Sequence, residues 1–425
     1  MESTNNDNQT YYNLKRRYLL IFLLASFIDW LQGPYLYKLY LHHGYNKSDI
    51  SFFYITGFAS SALSGIFIGQ LADIFGRKKL CTFYFISTIL ACIATISKNS
   101  SILYIGRIFS GTSSTILFSI FESWYISHHL SYNFAKNQIS STFADSTFYN
   151  GLLAIFAGFL SSILADGFKY GPTAPYLFSI PMSLLTGYLC MIFWTENLPT
   201  KYYFGPFKGI SIICKKNYTI LIHVWLIQTL FDTSMYSFIF VWTSILDPIR
   251  PSNGLIFGAF MLCIALGSAC HNFLINYCRI THVILLCLSI IIALVSTIAS
   301  TIGIHVQMQK NVESIGTYIC LISFLFYELS VGLYFPTISY VRGIIIPEFN
   351  RANISNWFRL PSNILICIIL YFIRIDVPDN RSIFILNVIC LSIAFIYSIK
   401  FMTAYSDRFN EKNETKLSIK SSLIV

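Results

Sequence analysis

The sequence carries little charge and lacks the short motifs that mark common pumps and hydrolases. Only 11% of its 425 residues are Asp, Glu, Lys or Arg, whereas a soluble domain carries roughly a quarter. A G-x-x-x-x-G-K-[ST] phosphate-binding loop and a G-x-S-x-G nucleophile motif are both absent, and the eleven cysteines form no C-x-x-C pair. These absences argue against an ATP-driven pump, a serine hydrolase and a thiol-coordinated metal centre.

Apolar side chains make up 55% of the chain and give it a mean hydropathy of +0.61. A membrane-spanning helix needs roughly 20 mostly apolar residues. Twelve segments have helical length, and the alternation typical of barrel strands does not dominate. The composition therefore predicts an all-α membrane protein with twelve transmembrane helices. The predicted spans are 18–40, 50–73, 80–97, 101–124, 139–165, 173–195, 219–246, 253–276, 280–304, 315–340, 352–374 and 382–404.

One hydrophilic stretch, residues 196–218, divides these spans into six and six. It contains two prolines, two glycines and four lysines. Two six-helix bundles joined by a linker are typical of carriers whose solute site lies between the bundles near mid-membrane. The predicted domains are a cytoplasmic N-terminal tail (1–17), a first bundle (18–195), a cytoplasmic linker (196–218), a second bundle (219–404) and a cytoplasmic C-terminal tail (405–425).

The basic residues predict the orientation of the chain. With the N-terminus in the cytoplasm, 19 of the 29 Lys and Arg residues lie in cytoplasmic segments, 8 lie outside, and Arg107 and Arg359 lie within the membrane. Topology thus explains the net charge of +10, and no basic stripe indicates a nucleic-acid partner. We expect both termini in the cytoplasm and the plasma membrane as the default location.

Three carboxyl groups lie inside predicted spans, where a charge costs about 2.5–3.5 kcal/mol and is a functional candidate. Asp29 lies half way along the first span, before the Gly33–Pro34 pair, which loosens the helix backbone. Asp232 holds the corresponding place in the seventh span, and Glu328 lies in the middle of the tenth. We predict that these groups are candidates for proton coupling, and the alternative is a buried hydrogen-bond node.

Two arginines also lie inside predicted spans, Arg107 in the fourth and Arg359 in the eleventh. Each shares a helix face with hydroxyl or amide side chains. Guanidinium groups bind oxyanions through two parallel hydrogen bonds, so the pair could hold a tetrahedral dianion. The alternative is that each arginine neutralises a nearby carboxylate: Asp29, Asp145, Asp232 or Glu328. The candidate substrate-binding residues are Arg107, Arg359, Asn356, Asn363, Gln32 and Ser114.

The loop between the second and third spans, Gly69–Lys79, reads G-Q-L-A-D-I-F-G-R-K-K. It resembles the signature of loop 2–3 in major facilitator superfamily transporters, and an ordinary basic loop is the alternative. The resemblance implies two halves that rock past each other. We predict a gating latch built from this loop and the end of the fourth span. The candidate gating residues are Gly69, Asp73, Gly76, Arg77, Lys78 and Glu122.

Five further segments extend the resemblance: Asp29–Tyr35, Gly106–Trp124, Phe231–Pro248, Val331–Pro336 and Pro347–Pro361. Together they resemble the molybdate-anion transporter family, the eukaryotic type-2 molybdate transporters. The resemblance implies molybdate uptake. Two departures matter, because the fifth span lacks the G-x-x-x-G-P element of drug/proton antiporters, and the second-half loop around 276–279 lacks the aspartate and the basic cluster.

The predicted function is therefore secondary import of molybdate by alternating access. Either protons accompany the anion or trapping inside the cell provides the pull. The partners expected are molybdate, the bilayer and, in the coupled case, protons; no cofactor, resident metal ion or enzyme activity is expected. The alternatives are a carrier of sulfate or of a small organic molecule, and a non-transporting membrane sensor on the same fold.

Overall fold

The described part of the chain is almost wholly helical. The computed structural model describes residues 2–196, 210, 219–249, 252–309, 313–345, 351–376 and 380–422. Because a bilayer core offers no water to unpaired backbone groups, helices are the natural structure for these long apolar segments. The helices are α1 Glu2–Gln32, α2 Leu36–His42, α3 Lys47–Phe75, α4 Arg77–Ile96, α5 Ser100–Ser131, α6 Lys136–Ser162, α7 Ala174–Phe193, α8 Thr219–Leu246, α9 Asn253–Asn276, α10 His282–Gln307, α11 Glu313–Ile345, α12 Arg351–Asp376 and α13 Asn380–Ser422.

The thirteen helices of the described residues form twelve crossings, because α1 and α2 make one crossing that is interrupted by the 3₁₀ turn Gly33–Tyr35. The turn lies where the sequence predicted a loosened backbone, since Pro34 cannot donate a helical hydrogen bond. Ten crossings are long and apolar enough to span a bilayer by composition. The exceptions are α5 and α12, and α12 contains a shorter apolar stretch, Trp357–Phe372. These two helices carry the intramembrane arginines.

Helix ends follow local sequence signals. The side chain of Asn46 accepts a hydrogen bond from the Asp49 N–H (2.9 Å) and caps α3, and Asn99 caps α5 in the same way through the Ser101 N–H (2.9 Å). Gly76 separates α3 from α4 with φ +104°, a conformation that side chains rarely adopt. The residues of the two predicted tails continue α1 and α13, because the backbone is helical from residue 2 and up to residue 422.

The helices form two six-helix halves, α1–α7 and α8–α13. Within the first half α5 packs on α3 and α4, and α1 packs on α5, α6 and α7; within the second, α11 packs on α9 and α10, and α13 packs on α8 and α10. The halves meet along two helix pairs, α3 with α12 and α6 with α9. Between these two helix pairs lies a central space. It is bordered by the faces of α1, α5, α8 and α11 that point to the other half.

We call the end of the bundle that carries residues 43–46 and 247–249 the outer end, following the orientation predicted from the basic residues. Here the halves are in direct contact. The Asn253 amide donates to the Pro34 carbonyl (3.3 Å), and the ring of Phe240 lies against Tyr37 and Tyr54, with centroid distances of 5.7 and 5.0 Å. The described contacts therefore close the central space at the outer end.

Candidate functional site

The first carboxyl group of the site, Asp29, is exposed although it lies in the middle of a membrane crossing. Its helix packs on α5, α6 and α7, and the charge of Arg107 acts on its carboxylate. Asp29 and Arg107 therefore face the same side of the first half. Gln32, one turn later, folds back and donates to the Ile28 carbonyl (3.0 Å).

Arg107 is held by its own half. Its Nε donates to the Phe53 carbonyl (3.2 Å), one terminal nitrogen donates to Ser110 Oγ (3.3 Å), and the guanidinium lies 5.5 Å from the centroid of the Tyr54 ring. Gly57 of α3 makes room for this group, since a Cβ there would lie 3.0 Å from the guanidinium carbon. These contacts fix the direction of Arg107, and no ion pair joins it to a carboxylate among the residues that the structure describes.

A stripe on α5 continues from Arg107 towards the other end of the membrane. Ser114, Phe118 and Glu122 follow one another at four-residue spacing, which places them on one helix face. Phe118 and Glu122 are exposed, and the guanidinium of Arg359 lies 4.7 Å from the centroid of the Phe118 ring. This stripe of the first half thus faces α12 of the second half.

Arg359 lines a small cavity of about 20 Å³ at the junction of α3, α5 and α12, which is roughly the room that one water molecule needs. Asn363, one turn along α12, lines the same cavity together with Ser61 and Thr115 of the first half. The structure therefore brings together Arg359 and Asn363 as the spacing predicted. The side chain of Asn356, which the sequence placed on the same face, lies outside the described residues.

Arg107 and Arg359 lie at different depths in the described structure. Arg359 contacts Phe118, which is eleven residues beyond Arg107 on α5, or about 16 Å of helix rise. No described contact joins the two guanidinium groups. The dianion site that the sequence analysis built from both arginines is not assembled in this conformation.

Asp232 lies at the base of the second half and is 5% exposed. Gln228, one turn before it on α8, donates to its carboxylate (3.1 Å), and the Gln228 carbonyl in turn accepts from Arg342 of α11 (3.4 Å). The charges of Arg342 and Arg359 both act on Asp232. The sequence predicted Asp232 as an intramembrane acid but not its connection to Arg342.

Arg342 is the main residue that the sequence analysis misplaced. The predicted span ends at residue 340, which counts Arg342 among the basic residues of the cytoplasmic loop that follows. In the structure α11 continues to Ile345 and carries Arg342 into contact with α8. The sequence does contain an indication of this: the apolar segment Gly343–Ile345 continues the helix pattern beyond Arg342.

Glu328 occupies a different environment from the other acids. It is 5% exposed, and Gly332, one turn further on α11, packs against the backbone of Ile264 in α9. Cys263, beside Ile264, is close enough for the Glu328 charge to act on it. The structure thus places Glu328 between two helices of the second half rather than beside the arginines.

The loop with the superfamily signature forms a compact turn. Arg77 makes an ion pair with Asp73 (3.1 Å), as the predicted latch requires. The carboxylate of Glu196, which the sequence analysis did not select, accepts hydrogen bonds from the backbone N–H groups of Lys78 (3.0 Å) and Lys79 (3.2 Å). It therefore caps the N-terminus of α4, where an anion is favoured.

The third predicted partner of the latch lies elsewhere. Glu122 was expected close to Arg77, but the charges that act on it are those of Arg359 and Arg342. The reason is helical geometry. The charge of Arg77 acts on His128, which lies one turn beyond Trp124 on the same face of α5. Glu122 is about 200° away from that face around the helix. Glu122 consequently faces the central space. The remaining signature residue, Gly69, lies in the last two turns of α3.

A second cluster that the sequence analysis did not select joins the halves at the outer end; we call it the outer latch. Its centre is Asp166, in a π-helical turn, Ile163–Gly167, of a kind often found at functional sites. Asp166 accepts hydrogen bonds from Ser252 of the second half (2.8 Å) and from Tyr35, and forms an ion pair with Lys38 (3.5 Å). Only the three-dimensional fold brings these residues together.

In the part of the chain that the structure describes, no three His, Cys, Asp or Glu side chains lie together where they could hold a metal ion. Asp29 lies near Arg107, and Asp232 is hydrogen-bonded to Gln228, whereas Glu328 lies between α9 and α11.

Comparison with solved structures supports the fold. A D-xylose–proton symporter aligns with a TM-score of 0.70 at 12% identity, covering 92% of this chain and 97% of that one. A mutant of the nucleoside transporter NupG aligns with a TM-score of 0.69 at 11% identity, covering 92% of this chain and 99% of that one. At such low identity these similarities concern the fold alone.

Comparison by sequence identifies the family. A family model described as sugar transporters with 12 TM helices matches residues 1–326. The molybdate-anion transporter of Takifugu rubripes is 32% identical over 395 residues, covering 86% of this chain and 81% of that protein. The Xenopus laevis molybdate-anion transporter is 33% identical over 341 residues, covering 79% and 74%. The chain therefore belongs to the molybdate-anion transporter family of the major facilitator superfamily.

Proposed function

We propose that this transporter imports molybdate by alternating access between its two halves. The observation that carries the proposal is the polar cavity between α3, α5 and α12, where Arg359 and Asn363 of the second half face Ser61 and Thr115 of the first. A guanidinium with amide and hydroxyl donors around it can satisfy the oxygens of a tetrahedral oxyanion. The names of the fish and frog relatives support the same class of substrate.

Alternating access is supported by the distribution of contacts. The outer latch and the contact between Asn253 and Pro34 hold the halves together at the outer end. Deeper in the membrane, Asp29 and Glu122 are exposed to the central space. This combination fits a state that is closed outside, and import then requires the outer contacts to separate.

Coupling is needed for accumulation. Moving a dianion into a cell against 100 mV, negative inside, costs about 4.6 kcal/mol, twice the ~2.3 kcal/mol per charge. Either protons enter with the anion or the cell traps molybdate. Of the three carboxyl candidates, Asp29 and Asp232 lie near arginines, whereas Glu328 lies between α9 and α11. We therefore favour Asp29 and Asp232 as proton carriers.

The orientation belongs to the same proposal. An excess of basic residues on one side supports both termini in the cytoplasm. Import across the plasma membrane then starts at the outer latch and ends at the side of the signature loop. An epitope tag at either end should be accessible to antibody only after the cells are permeabilised.

The direct test is uptake of molybdate and sulfate, side by side, in cells that lack their own carrier. We expect wild-type cells to accumulate molybdenum, and Arg359→Ala to reduce uptake at least tenfold at equal surface expression, because it removes a charge-assisted donor. Arg107→Ala tests the other predicted arginine, which the structure holds in its own half. Undiminished uptake in both variants would remove the proposed anion site.

Transport of another solute is the second candidate. The matching family model is described as sugar transporters, and an aromatic pair, Phe58 and Tyr236, faces across the halves with ring centroids 5.1 Å apart. Aromatic rings can stack on a sugar. Competition decides between the two: inhibition of molybdate uptake by tungstate and sulfate supports an oxyanion site, whereas inhibition by sugars alone supports the second candidate.

A further inference from the structure

Arg342 and Arg359 lie on two helices of the second half, α11 and α12, which both pack on α8. Arg342 of α11 donates to Gln228 (3.4 Å), and Arg359 of α12 lies against Phe118 of the first half, 4.7 Å from its ring centroid. The charge of each guanidinium acts on Asp232 and on Glu122, and the charge of Arg359 also acts on Arg342. The two arginines therefore share one electrostatic environment.

Two like charges near each other repel, and the repulsion is larger where little water screens it. Asp232 and Glu122 offset these charges in the empty protein, but they come from different halves. Asp232 belongs to the second half and is bonded to Gln228 (3.1 Å), so it moves with the arginines. Glu122 belongs to α5 of the first half and is exposed. It is the acid that an incoming anion can replace.

We propose that Arg342 and Arg359 together bind the oxyanion, and that Glu122 is the internal carboxylate with which the anion competes. This inference rests on the proposed function and names a residue pair for it. Gln228 and Asp232 act as positioning residues, because they fix the direction of Arg342 through a chain of two hydrogen bonds. A tetrahedral dianion between two guanidinium groups accepts charge-assisted hydrogen bonds from both.

Competition between the anion and Glu122 also links binding to movement of the halves. Without the anion, Glu122 of the first half attracts two cations of the second half across the central space. Bound anion satisfies those cations and removes that attraction. The charged and titratable groups that face Glu122 are Arg342, Arg359 and Tyr18, so protonation of Glu122 weakens the competition without supplying a new positive group.

The first test measures the molybdate KM of uptake for Arg342→Ala and Arg342→Lys at equal surface expression. We expect at least a tenfold rise for alanine and a smaller rise for lysine, which keeps the charge but not the planar fork. Arg279→Ala, at an exposed position between α9 and α10, is the matched control and should leave KM unchanged. If the Arg342→Ala variant does not fold, the Arg342→Lys variant provides the test, and an unchanged KM in that variant overturns the inference.

The outcomes separate the inference from the function. A wild-type protein that transports molybdate, together with Arg342 variants within twofold of its KM, contradicts the arginine pair and leaves molybdate transport intact. A wild-type protein that takes up no molybdate contradicts both. A raised molybdate KM in Arg342→Ala, together with a smaller rise in Arg342→Lys, supports binding by the two arginines.

The second test concerns Glu122 and uses equilibrium binding, so that no proton gradient contributes. Molybdate should raise the melting temperature of the purified wild-type protein, since it binds only the folded state. We expect Glu122→Gln to bind at least threefold more tightly at pH 7.5, and to lose most of the gain in affinity that the wild type shows at pH 5.5. Weaker binding in Glu122→Gln, or an unchanged pH dependence, contradicts competition by this carboxylate.

Discussion

Trp194 holds the inner end of the first half through both its ring and its indole N–H. It is 1% exposed, and its ring lies parallel to that of Trp124, with centroids 3.8 Å apart. Its Nε1 donates to the Arg17 carbonyl (3.1 Å), and Trp124 Nε1 donates to the Thr195 carbonyl (2.9 Å). One aromatic pair thus joins the end of α7 to both α1 and α5.

Replacement of Trp194 by alanine should therefore lower stability by about 3–5 kcal/mol, the range for large buried aromatic side chains. Thermal unfolding of the purified protein, followed with a dye that reacts with buried thiols, measures the loss. Tyr188→Ala on the same helix is the control, because that ring is 58% exposed. Equal melting temperatures for the two variants would contradict the packing role of Trp194.

Individual residues also show how far sequence reasoning reaches. The intramembrane position of Asp29 and Arg359 follows from hydropathy alone, because a charge inside an apolar segment is conspicuous. Arg342 could not be recognised in the same way, since an arginine near the end of an apolar segment looks like an ordinary basic loop. Its contact with Gln228 joins residues 114 positions apart, which no local pattern predicts.

At the scale of helices, α3 and α5 pack through small and hydroxyl side chains. Ser61 and Thr115 are hydrogen-bonded (3.0 Å), and so are Ser64 and Thr112 (3.1 Å). Gly111 lies between these pairs, where a Cβ would be 2.9 Å from that of Ser60 and closer still to a carbonyl of α3. Close helix contacts in membranes depend on such small residues.

Gly111→Ala should force α3 and α5 apart, because the atom it meets first is backbone. We expect a loss of about 1–3 kcal/mol, the usual cost of overpacking. Gly151→Ala on α6 is the matched control, since no atom lies within 4 Å of a Cβ there. A melting temperature of Gly111→Ala equal to that of the control would show that the helices have room to adjust.

At the scale of the whole molecule, the two halves meet at one end through the outer latch. The length of the apolar segments predicted the twelve crossings, and the hydrophilic stretch 196–218 predicted their division into six and six. It could not predict which helices meet across the halves, because Asp166 and Ser252 lie in different halves and are brought together only by packing of α6 on α9. The family resemblance supplied the superfamily fold, and the structure supplied the latch.

Loss of the latch should favour separation of the halves at the outer end. Asp166→Ala removes the acceptor shared by Ser252, Tyr35 and Lys38, so backbone amides near the start of α9 should exchange with deuterium at least threefold faster. Asp49→Ala, an exposed acid at the same end, is the control. Equal exchange in both variants would mean that the latch does not hold the halves together.

The most direct test of the account is molybdate transport by the purified protein in liposomes. Vesicles loaded with unlabelled molybdate should take up labelled molybdate from outside by exchange, and Arg359→Ala vesicles with the same amount of folded protein should take up at least tenfold less. Exchange at the rate of protein-free vesicles in the wild type, or equal exchange in the variant, would contradict a carrier that binds its anion through this arginine.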